Sequence, residues 1–119
     1  MMNLSMLTQH NYLGPVRKKT ALTQIDVGTT MQLSDLASVS RWENGLREPT
    51  FEALILYELL FDLPISHFFA RQKNELIPKL AEGIMKRIEE LKSLPADSSV
   101  PARVEYLQAT FTRLAALPV

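Results

Sequence analysis

Few side chains in this sequence are equipped for catalysis. The 119-residue chain has two histidines, His10 and His67, and no cysteine, which excludes thiolate zinc sites, disulfides and cysteine nucleophiles. His10 stands in an uncharged opening stretch, and His67 precedes Phe68, a packing or surface position rather than that of a general base. Glu89-Glu90 reads as a solvated helix face, and no glycine-rich phosphate loop or Ser-His-Asp grouping accompanies it. No metal site, cofactor or enzymatic activity is expected. What is left is the chemistry of binding, concentrated between Leu22 and Pro49, where Gln24, Arg41, Asn44 and Arg47 supply amide and guanidinium donors.

The elements that must position these groups are helical. Leu occurs 19 times and Ala 10 times, against 12 for Val and Ile together, and the runs between breakers are long, so the expected fold class is all-α. In the first helix Asn11 can cap, Pro15 lies near the first turn, and Tyr12, Leu13, Val16 and Thr20 share a face. Thr23 opens a second helix, with Asp26 three residues on as a short capping box and Ile25, Val27 and Met31 as apolar positions. Gly28 sits inside it, and a helical glycine costs about 1 kcal/mol against alanine, so another backbone is expected to pass close by. Gln32-Leu33-Ser34-Asp35 forms a turn with Asp35 as N-cap, and Leu36, Val39 and Trp42 follow at helical spacing until Asn44-Gly45 ends the run. Thr50 caps a fourth helix whose Phe51, Leu54, Ile55, Leu59 and Phe61 are expected to be strongly buried. Ser66 to Phe69 adds a fifth short element. Two short capped helices around a tight turn, backed by an apolar helix, describe a helix-turn-helix.

The same residues resemble the phage repressor and Cro-like family, often called the Xre family. The resemblance rests on Leu22-Thr23-Gln24, Gly28, Val39-Ser40-Arg41-Trp42-Glu43-Asn44-Gly45 and Arg47-Glu48-Pro49, and it covers residues 11–69. It implies a five-helix DNA-binding domain, with a shared core of Ile25, Met31, Leu33, Val39 and Trp42. It also implies that Arg17 pairs with Glu43 as a structural ion pair rather than touching DNA. Gln24, Asn44 and Arg47 would hold phosphates, with Lys18 and Lys19 adding charge at the rim. The groove-facing side of the third helix would carry Leu36, Ala37, Ser40 and Arg41. Of these, Arg41 is the best base reader, since its fork can donate to both acceptors of guanine, whereas Leu36 and Ala37 can touch only thymine methyls. Two departures stand out: the turn is one residue longer than the family's common spacing, with Gln32 where glycine is usual, and Asp35 would repel phosphate unless it serves as the cap.

Beyond Ala70 the pattern becomes a longer amphipathic one. Leu76, Leu80, Ile84, Ile88 and Leu91 form one stripe, and Val104, Leu107, Phe111 and Leu114 another, with a loop at residues 95–101 between them. Pro78 predicts either a helix start or a kink. The expected organisation is a flexible arm at 1–10, the helix-turn-helix domain at 11–72 and a C-terminal helical hairpin at 73–119. The stripes of that hairpin would dimerise with a second copy. Residues 1–50 hold five basic and four acidic side chains, so the positive field is weak and useful affinity would need two copies on one duplex. The expected function is a homodimeric, sequence-specific regulator on double-stranded DNA. The alternative is an antitoxin or adaptor whose C-terminal helices bind a protein partner, with weak DNA binding. No apolar run suggests a membrane span or signal peptide, and a cytoplasmic location is expected.

Overall fold

A computed structural model describes residues 11–95 and 97–118, and all regular structure among them is helical. The arm at 1–10, with His10, lies outside the described residues. The helices are α1 (Leu13–Lys19), α2 (Gln24–Thr30), α3 (Ala37–Glu43), α4 (Phe51–Phe61), α5 (Ile65–Phe68), α6 (Ala70–Ser93) and α7 (Val100–Ala115). The chain divides into two compact units, the first ending at Gln72 and the second beginning at Lys73.

Side-chain caps set the helix starts of the first unit. Thr23 Oγ1 accepts the Asp26 N–H at 3.0 Å while Asp26 Oδ2 accepts the Thr23 N–H at 2.8 Å, a reciprocal capping box. Thr50 Oγ1 accepts the Ala53 N–H at 3.1 Å in the same manner. The N-cap of α1 is Tyr12, and Asn11 acts from one position before it: its side-chain oxygen takes the Leu13 N–H at 3.0 Å, and its amide donates to the Trp42 carbonyl at 2.9 Å, tying α1 to the end of α3.

The ends of α2 and α3 share one device. After α2, the Gln32 N–H donates to the Thr29 carbonyl and the Leu33 N–H to that of Gly28, with Gln32 left-handed at φ 57°. After α3, Gly45 donates to Trp42 and Leu46 to Arg41, with Gly45 at φ 71°. Both are Schellman motifs, which need a left-handed residue at the position just past the helix cap. The turn between α2 and α3 thus places a non-glycine residue in a glycine conformation.

The core of this unit joins Leu13, Val16, Val27, Met31, Val39, Trp42, Ala53, Tyr57 and Phe68, all buried. Tyr57 lies at its centre, with ring centroids 6.2 Å from Trp42, 6.0 Å from Phe61 and 5.8 Å from Phe68. Burial pushes its phenol pKa well up.

Two expectations about packing are corrected. Ile25, assigned to the core, is 65% exposed, on the solvent side of the first turn of α2. On α4 the inward positions are Ala53 and Tyr57, whereas Phe51 and Leu59 are 77% and 72% exposed and Ile55 is also exposed. That helix is apolar nearly all round, so its periodicity gave no basis for choosing a side. Over Gly28 both the side chain and the backbone of Leu36 come close: a Cβ there would lie 2.8 Å from Leu36 Cδ2 and 3.6 Å from Leu36 Cα.

Further along, α6 runs through Pro78 without ending, so the helix start expected there does not occur. A proline costs a helix its own N–H bond and crowds the carbonyl four residues back, and both Pro78 and Asn74 are exposed, where water can serve that carbonyl. Ile84 and Leu91 are buried, and Ile88, Val104, Leu107, Phe111 and Leu114 are half-buried. Leu91 and Leu107 line one shallow groove between α6 and α7. Leu76 and Leu80, the first two residues of the stripe, are 57% and 54% exposed. No helix among the described residues is long and apolar enough to cross a membrane.

Candidate nucleic-acid interface

The two helices that would meet a duplex are locked by a carboxylate. Glu43, the last residue of α3, accepts Arg17 Nε at 2.6 Å on Oε2, and Arg17 Nη2 at 3.0 Å and Gln24 Nε2 at 3.0 Å on Oε1. Arg17 Nη1 also donates to the Leu22 carbonyl at 3.0 Å. Both charged side chains are about nine-tenths buried, and Glu43 holds Arg17 still further toward its charged form. Gly14 makes room for this carboxylate, since a Cβ there would sit 3.2 Å from Glu43 Oε1. One side chain therefore ties α1, the start of α2 and the end of α3 together.

This network changes the surroundings of one expected phosphate contact. The Gln24 amide spends one N–H on Glu43, which leaves its second N–H and the backbone at the start of α2 for another partner. Gln24, Arg17, Lys18 and Thr23 line an open groove, where Lys18 is exposed, as is Lys19 beside it. Asn44 and Arg47 are exposed on the loop after α3, with Asn44 Nδ2 donating to Ser40 Oγ at 3.2 Å.

On α3 the two sides differ sharply. Val39 and Trp42 are buried against the core, while Leu36, Ala37 and Arg41 are exposed and Ser40 is half-buried. Among the described residues the chain itself does not cover this outer side. Asp35 lies at its start, with Oδ1 accepting the Ala37 N–H at 3.0 Å and Oδ2 accepting Arg41 Nη1 at 2.8 Å. The regular helix begins two residues after Asp35, with Leu36 already in helical conformation, so the carboxylate caps from one position further out than expected. Arg41 first, and then the Ala37 N–H, hold the Asp35 carboxyl below the usual carboxylate range.

A family model described as helix-turn-helix matches residues 16–68, which run from within α1 to the end of α5. This segment is a helix-turn-helix of the Xre, or repressor and Cro-like, family. The match supports a DNA-binding regulator. Comparison with curated proteins and with solved structures gave no significant match. In the helix-turn-helix, α2 and α3 pack against each other, and the side of α3 away from the core is open.

Two features of the helix-turn-helix escaped sequence reasoning. Asp35 reads in sequence as a cap or a phosphate repeller, and its pairing with Arg41 six positions on appears only in the fold. Gly14 has a role that appears only once Glu43 is folded over it.

Proposed function

We propose that the protein is a sequence-specific regulator that binds a two-fold operator as a homodimer, with α3 in the major groove. The observation that carries this reading is the division of α3 into a buried side, Val39 and Trp42, and an open side bearing Leu36, Ala37, Ser40 and Arg41. Arg41 reads a guanine, Leu36 and Ala37 touch thymine methyls, and Ser40 is permissive. Gln24, Asn44 and Arg47 hold phosphates, with Lys18 and Lys19 at the rim. Arg17 and Glu43 do not contact DNA; they keep α1, α2 and α3 in register.

The net charge of only +1 over residues 1–50 supports dimeric binding, because one copy has little long-range attraction for a duplex. Residues 73–119 are the dimerisation region of this reading. Leu76 and Leu80 stand exposed on the stripe that continues through Ile84, Ile88 and Leu91, and the α7 stripe of Val104, Leu107, Phe111 and Leu114 is half-buried. Half-sites would be spaced by one helical turn, roughly 34–36 Å.

Selection from random duplexes, followed by salt titration of the winners, tests this reading. A two-fold consensus with salt-dependent affinity supports it, and failure to enrich any sequence refutes it. Light scattering on the wild type and on Leu80→Glu tests the dimer: the wild type should give twice the chain mass and the variant one chain mass.

The exposed apolar residues Leu76, Leu80 and Met85 on α6 favour a second reading, an adaptor or antitoxin whose C-terminal helices bind a protein partner. Under it, the protein co-purifies with a stoichiometric partner that masks residues 76–114, and Arg41→Ala leaves DNA affinity unchanged.

A further inference from the structure

The ion pair between Asp35 and Arg41 is out of place as a stabilising device. Its side chains are 56% and 44% exposed, and exposed pairs contribute little to folding. It nevertheless sits on the open side of α3, with a 2.8 Å contact between oppositely charged atoms, at the one arginine this side presents. Asp35 is anchored as well, because its other oxygen holds the Ala37 N–H at 3.0 Å. Arg47 adds a further positive charge facing the same carboxylate.

We infer that Asp35 is a specificity-determining positioning residue, which orients the Arg41 guanidinium for guanine and restrains it from pairing with phosphate. The inference deepens the DNA-binding reading above and rests on it. A long arginine side chain samples many rotamers, and a duplex offers it phosphates everywhere but guanine edges only at some positions. Fixing Nη1 against an anchored carboxylate removes much of that freedom before binding. Arginine carries five N–H donors in a planar fork, so one bond to Asp35 leaves the rest of the fork for the two guanine acceptors. The carboxylate also cancels one positive charge next to the groove, which weakens attraction to every sequence alike and raises the ratio of specific to non-specific binding.

The test is Asp35→Asn in the full-length protein, scored on duplexes that differ only at the base pair assigned to Arg41. Asparagine caps helices as well as aspartate does, so the start of α3 is kept while the charged partner of Arg41 is lost. The preference for guanine should fall about tenfold, and affinity for unrelated duplexes should rise. Asp35→Ser, which also preserves a cap, should behave alike and guards against a folding defect peculiar to one variant. A role limited to capping would leave base preference intact, so unchanged guanine preference in both variants overturns the inference. Arg41→Ala separates the two levels: if the wild type selects no sequence, the DNA-binding reading fails. If the wild type prefers guanine through Arg41 but both Asp35 variants keep that preference, only the role of Asp35 falls.

Discussion

Arg17 and Glu43 are joined through two N–H donors and both carboxylate oxygens, at 2.6 and 3.0 Å, although 26 positions separate them in the chain. The fork-on-carboxylate arrangement gives direction as well as attraction, and its burial makes each charge dependent on the other. Gln24 adds a third donor to the same carboxylate, so the relative placement of α1, α2 and α3 converges on one side chain.

Removing one member of the pair should be costly, because the survivor is left charged in a largely buried position. Glu43→Ala is expected to lower unfolding stability by about 3 kcal/mol, read from urea denaturation. Replacing both residues, as Arg17→Met with Glu43→Leu, should recover a large part of that loss.

The two Schellman turns make opposite predictions. Gln32 holds φ 57° without being glycine, so Gln32→Gly should raise stability by about 0.5–1 kcal/mol. Gly45 holds φ 71°, and Gly45→Ala should lower stability by about 1 kcal/mol. Thermal unfolding of the two variants should shift the midpoint in opposite directions.

Acid should weaken the capping box of α2. The Thr23 N–H bonded to Asp26 holds its carboxyl below the ordinary value of 3.8. A depressed folded-state value means that this stabilisation is complete above the unfolded-state value and is lost as pH falls through the folded one. Asp26→Asn keeps an acceptor but cannot titrate. Melting curves from pH 6 to pH 2 should therefore show the gap between wild type and variant closing below about pH 4.

DNA contacts should separate into two kinds. Arg41→Ala should reduce discrimination at one base pair by about 1–3 kcal/mol. Arg47→Ala should weaken binding to all sequences alike and make the salt dependence shallower by about one unit. Titrations against a selected and a scrambled duplex at several salt concentrations distinguish them.

Much of this molecule was legible from residue order because the relevant physics is local. Thr23 with Asp26, Thr50 ahead of Ala53 and Asn44-Gly45 after Glu43 announce helix boundaries through bonds that span only a few residues. The all-helical class and the helix-turn-helix follow from those boundaries together with Val27, Val39 and Trp42 at helical spacing.

The sequence by itself therefore determined which segments are helices and which kind of domain they make. Tertiary structure alone decided which side of the uniformly apolar α4 turns inward, that Ile25 stays out of the core, and that α6 carries Pro78 without ending. It also decided that the Gln24 amide turns to Glu43 and that Arg41 meets Asp35. A cap or a helical period is settled by neighbours along the chain, whereas these outcomes depend on what the fold brings alongside, and residue order does not specify that until the helices have packed.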